Sequence, residues 1–129
     1  MNLALWVERH GDQRPDAPAL ADGETVHATW AQFADTTARV AGGLLRQFGV
    51  SAGDRVAIIM RNRPEYLEAM FGIWHAGGVA VPVNARLHRD EIAYILAHSG
   101  SVVAITDDDH ADDVLPLLED VETLQAVLI

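Results

Sequence analysis

Five consecutive residues, Val56-Ala57-Ile58-Ile59-Met60, are all apolar. A strand with one wet face alternates apolar and polar side chains, whereas a run without alternation is expected where a sheet is covered on both faces, as in parallel sheets whose crossover helices pack on either side. The flanks agree with this reading. Gly53-Asp54-Arg55 supplies a turn before the run. After it, Asn62 and Pro64, with Glu65 three residues beyond Asn62, suit the start of a helix. Tyr66, Leu67, Met70, Phe71 and Trp74 form that helix's apolar stripe, and Gly77-Gly78 closes it.

The same alternation continues in both directions. Downstream, "VAVPV" (79–83) predicts a strand in which Pro82 cannot donate to a ladder, so the chain there must lack a partner on one side or form a bulge. A helix is expected from about His88 to Ala97, closed by Ser99-Gly100. It is followed by the strand "VVAIT", a short helix near 111–119 and a last strand "AVLI". Upstream, residues 3–10 predict a short helix that "GDQRPDAP" stops, and Asp22-Gly23 marks the turn of a small hairpin. Thr29 and Gln32 have the spacing of a capping box. It opens a long helix with Trp30, Phe33, Thr37, Val40, Leu44 and Phe48 on one face and Gly49 as its left-handed stop. Trp30, Phe33, Met70 and Trp74 are expected in the core rather than in a ligand cage. The fold class that follows is α/β: a three-layer, mostly parallel sheet with flanking helices, plus a small early hairpin. Residues 1–129 form a single α/β unit without repeats. Its bare apolar final strand is the kind of edge that complete domains avoid, so an N-terminal fragment of a larger domain is expected.

Composition narrows the functions available. With 129 residues, half of them apolar, the chain builds one core. It has no cysteine, which excludes disulfides, thiolate metal sites and cysteine nucleophiles. Glu8 and Arg9 interrupt the N-terminus before a signal peptide could form, and the longest uncharged run, 69–85, is too short for a transmembrane segment, so a cytoplasmic protein is expected. The net charge of −10 argues against nucleic acid as a partner. All nine basic side chains are arginine; there is no lysine.

Few motifs carry chemistry. The six histidines, at 10, 27, 75, 88, 98 and 110, include no pair at i, i+3 or i, i+4, so no metal site is assigned. Gly42-Gly43 lies within a helix, where close packing explains it, and Gly77-Gly78 ends one; neither follows a strand and opens a helix as phosphate loops do. Asp107-Asp108-Asp109 reads as a solvated acidic helix start, since a phospho-receiver pocket would also need a lysine. No catalytic residue is assigned. Arg86 stands out, just past a strand end in an acidic chain.

Residues 53–100, "GDRVAIIMRNRPEYLEAMFGIWHAGGVAVPVNARLHRDEIAYILAHSG", together with the earlier "PDAPAL" and "TWAQFADTTARVAGGL", resemble the N-terminal part of the adenylate-forming superfamily. That superfamily comprises acyl-CoA synthetases, luciferases and the adenylation domains of peptide synthetases. The segment "VPVNARLHRDEIAYIL", with Asn84 and Arg86, is more similar to acyl- or aryl-CoA ligases than to peptide-synthetase domains. The resemblance implies a parent ligase that uses ATP, Mg²⁺ and CoA to convert a carboxylic acid, through an acyl-adenylate, into a thioester. It implies that Arg86 meets the phosphates of CoA; the alternative is that Arg86 pairs with Asp90 or Glu91. The family's phosphate loop and its lysine, its acyl pocket, its ribose-binding aspartate and the lysine of its C-terminal domain are expected beyond Ile129. The fragment alone is therefore expected to be inactive and to bind none of these cofactors tightly, with self-association through faces meant for the missing chain. A stand-alone, non-catalytic α/β interaction or regulatory module is the competing reading. His88, where the family commonly has Ser or Thr, is expected to weaken the following helix cap by about 1 kcal/mol.

Overall fold

The computed structural model describes residues 1–129. In chain order its elements are α1 (Ala4–Gln13), β1 (Pro18–Asp22), β2 (Thr25–Thr29), α2 (Trp30–Arg46), β3 (Arg55–Ile59) and α3 (Pro64–His75). There follow β4 (Val79–Val83), α4 (Arg89–Ser99), β5 (Val103–Thr106), α5 (Ala111–Val114), α6 (Leu117–Asp120) and β6 (Ala126–Leu128). Strands β3 to β6 form one sheet in the order β4-β3-β5-β6, every neighbour parallel. Strands β1 and β2 form a separate antiparallel hairpin.

The non-alternating run lies in the interior strand β3, and Val56 to Ile59 are fully buried. Val56, Ile58 and Met60 join Ala41 and Leu44 of α2 and Ala69 and Ile73 of α3 in one core cluster. Ala57 and Ile59 join Ile92 and Leu96 of α4 and Leu117 of α6 in another. Successive residues of one strand point to opposite faces, so an uninterrupted apolar run is what a middle layer requires. Pro82 lies on β4, which pairs only with β3, so the missing donor falls on an edge strand.

Local signals set most of the boundaries. The Thr29/Gln32 capping box forms, with the Gln32 N–H donating to Thr29 Oγ1 at 3.3 Å and the Thr29 N–H to Gln32 Oε1 at 2.9 Å. Gly77 and Gly100 take positive φ, +81° and +65°, in paired helix-ending turns. In these the N–H groups of Gly78 and Ser101 reach back to the carbonyls of Ile73 and Leu96.

The structure corrects several expectations. Helix α1 continues through Gly11 to Gln13. A Cβ on Gly11 would lie 3.0 Å from Ala34 Cβ, so the glycine lets α1 run on across α2 where a larger residue would have turned it away. The two central residues of the hairpin turn are Gly23 and Glu24, not Asp22 and Gly23, because Asp22 pairs with Thr25. Asn62 does not cap α3. The N-cap is Arg63, without a side-chain cap bond, and Glu65 folds back onto its guanidinium instead. The closest helix packing belongs to Gly72, where a Cβ would overlap the Val40 side chain of α2; around Gly43 there is open space, and the nearest atoms to a Cβ on Gly42 belong to the Arg46 guanidinium of the same helix. The helix expected over 111–119 is two single turns, α5 and α6, divided at Leu115-Pro116.

Candidate functional site

Strand order places the site. From β3 the chain passes through α3 to β4 on one side, and then through α4 to β5 on the other side of β3. Adjacent strands whose connections leave in opposite directions open a crevice at their carboxyl ends, the position at which open α/β sheets bind ligands. Here the crevice lies between the loop after β3 (Met60–Arg63) and the loop after β5 (Asp107–His110). A cleft of about 1240 Å³ extends from it to the loop after β4, lined among others by Arg61, Tyr66, Asn84, Arg86, Asp109 and His110.

Asp107 is the best-held group in the crevice. Its side chain is 6% exposed and accepts the Arg61 N–H at 3.3 Å and a hydrogen bond from His110 Nδ1, with Arg63 Nη1 at 4.0 Å. Burial disfavours the charged carboxylate, but these donors outweigh it and hold Asp107 below the ordinary carboxylate range. An ionised carboxylate only accepts, so Nδ1 of His110 carries the proton of that bond. Thr106 Oγ1 donates to the Ile59 carbonyl at 2.8 Å and pins the ends of β3 and β5 together beneath the pair. The neighbouring Arg63–Glu65 pair binds at 2.9 and 3.2 Å. Its hydrogen bond and charge raise the Arg63 pKa and lower that of Glu65. Burial pushes the Tyr66 hydroxyl up.

Arg86 is exposed in the turn after β4. Its N–H donates to Asn84 Oδ1 at 3.0 Å and the Leu87 N–H to the Asn84 carbonyl at 3.2 Å, a turn that Asn84 builds through its side chain. The arginine ion pairs are Arg39–Asp35, Arg61–Asp109, Arg63–Glu65, Arg63–Asp107 and Arg89–Asp120, and Arg86 is in none of them. Of the two acids nearest in sequence, Glu91 accepts the His88 N–H at 2.9 Å, and the Asp90 carboxylate is exposed to solvent. Neither acid forms an ion pair with the Arg86 guanidinium.

Two expectations change at this site. Asp107 is not part of a solvated helix start; it is buried at the end of β5, while Asp108 and Asp109 are exposed. Its signal in the sequence is a histidine three residues on, after a strand end, a pattern legible only once β3 and β5 are known to be neighbours. His88 does not forfeit its cap, because its Nδ1 accepts the Asp90 N–H at 3.3 Å and completes a capping box with Glu91.

The family model described as "AMP-binding enzyme" matches residues 7–129. The chain is 42% identical over 115 residues to a feruloyl-CoA synthase of Amycolatopsis sp., covering 89% of this chain and 23% of that protein. It is 36% identical over 118 residues to 4-hydroxybutyrate–CoA ligase 2 of Metallosphaera sedula, covering 92% and 21%. Among solved structures, the N-terminal domain of FACL13 from Mycobacterium tuberculosis superposes with a TM-score of 0.85 at 29% identity, over 99% of this chain and 33% of that one. The chain thus spans between a fifth and a quarter of the length of the two curated relatives.

Proposed function

Because the chain belongs to the AMP-binding enzyme family, we propose that it forms the N-terminal segment of an ATP-dependent acyl- or aryl-CoA ligase. The observation that carries this reading is the match of nearly the whole chain to one segment of two such ligases. In the complete enzyme a carboxylate oxygen attacks the α-phosphorus of ATP and pyrophosphate leaves. The sulfur of CoA then attacks the carbonyl of the acyl-adenylate, and AMP leaves.

The residues of this chain do not fit the triphosphate of ATP or its Mg²⁺. There is no lysine, no glycine-rich loop joins a strand to a helix, and Asp107 is spent on Arg61 and His110. Neither half-reaction is therefore assigned to the 129 residues. Arg86 does fit a phosphate of CoA. Its guanidinium is exposed, free of carboxylates and held on a turn that Asn84 shapes at the mouth of the cleft. Guanidinium meets phosphate through paired, charge-assisted hydrogen bonds.

The test is a chimera in which this chain replaces the matching segment of the Amycolatopsis feruloyl-CoA synthase. The folded chimera is expected to release pyrophosphate with ATP and a carboxylate and to form the thioester, whereas the 129-residue chain alone releases none. Arg86→Ala is expected to raise the KM for CoA about tenfold, from the loss of one charged hydrogen bond, and to leave pyrophosphate release unchanged. A folded chimera that releases no pyrophosphate with any carboxylate overturns the ligase reading. An unchanged KM for CoA removes Arg86 from it.

A further inference from the structure

The most deeply buried acid–histidine pair in the molecule, Asp107 and His110, lies at the switch point and binds no group in the proposed function. Two features set His110 apart from the other histidines. Its Nδ1 is bound to a carboxylate whose side chain is 6% exposed, and its own side chain is 14% exposed. Its Nε2 has no protein partner and is not among the buried polar atoms left without one, so that edge of the ring meets solvent, and the cleft is what it borders. By contrast, His27 and His75 spend Nε2 on Glu68 and Glu8.

We infer that His110, positioned by Asp107, is a second phosphate-binding group of the cleft, facing the same CoA nucleotide that Arg86 meets. This rests on the CoA reading of Arg86 and extends it to the loop after β5. Strands β4 and β5 flank β3, so their ends stand two strand spacings apart, roughly 10 Å. Two groups carried on loops from either side of β3 and lining one cleft suit a ligand with two separate phosphate groups on one nucleoside better than a single phosphate. The nucleotide end of CoA, with its 3′-phosphate and 5′-diphosphate, is such a ligand.

A phosphate dianion only accepts hydrogen bonds. With Nδ1–H already given to Asp107, His110 meets a phosphate through Nε2 only when that nitrogen is also protonated, so binding draws a proton onto the ring. The charged groups that face it are Asp107 on its own loop, Arg61 and Arg63 after β3, Arg86 after β4, and Asp109 and Asp113 along the cleft and crevice. Arg61 pairs with Asp109 at 3.7 Å, whereas neither the Arg86 guanidinium nor His110 Nε2 has a protein partner.

The test uses the 129-residue chain labelled with ¹⁵N and titrated with adenosine 3′,5′-bisphosphate at about pH 8, a pH at which the phosphates are dianionic acceptors. The expected result is weak binding in which the His110 Nε2 signal moves toward the protonated position while Nδ1 stays hydrogen-bonded. His110→Gln is expected to weaken binding about tenfold, the loss of one charge-assisted hydrogen bond. Asp107→Asn frees the ring and is expected to abolish the Nε2 signature. If that variant unfolds, His110→Gln, on a partly open ring, still decides the matter. ATP, which lacks the 3′-phosphate, and inorganic phosphate are expected to bind more weakly. No movement of the His110 nitrogens up to saturation overturns the inference, as does an equal response to ATP or phosphate. Loss of binding in Arg86→Ala with none in His110→Gln overturns it while leaving the CoA reading of Arg86 standing. The ligase reading itself is judged separately by turnover of the chimera.

Discussion

At the scale of single residues, Asp107 shows how burial and hydrogen bonding compete. Removing a carboxylate from water favours its neutral form, yet the Arg61 N–H and the His110 ring together favour the charged form more strongly. Because the folded-state pKa lies below the unfolded value, the resulting stability is present above the ordinary aspartate pKa of about 3.9 and is lost as pH falls through the lower folded value. Thermal melts between about pH 6 and pH 2 are expected to show this loss in the wild type and a shallower dependence in Asp107→Asn. Equal pH slopes for the two proteins would mean that other carboxylates govern acid unfolding.

At the scale of elements, α4 shows that a cap depends on an acceptor atom rather than on a residue type. His88 supplies a ring nitrogen where serine or threonine would supply a hydroxyl, and Glu91 reciprocates as in the α2 box. His88→Ala is expected to lower stability by about 1 kcal/mol, and His88→Ser to recover most of it. Denaturant unfolding measures both, and an alanine variant as stable as the wild type would show that the imidazole bond is idle. Helices α2 and α3 depend on a different device. Gly72 brings the α3 backbone against Val40, a contact made between elements and invisible in the periodicity of either.

At the scale of the whole molecule, charge and apolar surface oppose each other. The groove between α2, α3 and the β5–β6 side of the sheet is lined by Val40, Leu44, Phe48, Met60, Ile105 and Leu128. The net charge of −10 keeps copies apart at low salt. Sedimentation velocity is therefore expected to show self-association that grows with protein concentration and with salt, as screening weakens the repulsion. Leu128→Asp, which places a charge in the groove, is expected to suppress it. A species whose sedimentation is independent of both variables would place the groove outside any self-contact. No helix is long and apolar enough to cross a membrane.

Much of the architecture is local and was legible for that reason. A capping box spans three residues, a left-handed glycine ends the helix just before it, and an unbroken apolar run marks a strand covered on both faces. Thr29 with Gln32, Gly49, Gly77, Gly100 and residues 56–60 thus identify their elements from the sequence alone. Arg86 could likewise be placed past a strand end. Periodicity shows that a face is buried but not which partner covers it. Only the tertiary structure brought Arg61 to Asp107 across 46 residues, let α1 run on over α2 at Gly11, and left Arg86 outside the arginine ion pairs. Each of those outcomes depends on strand order or helix contact, and these are settled by competition among apolar faces that look alike in sequence.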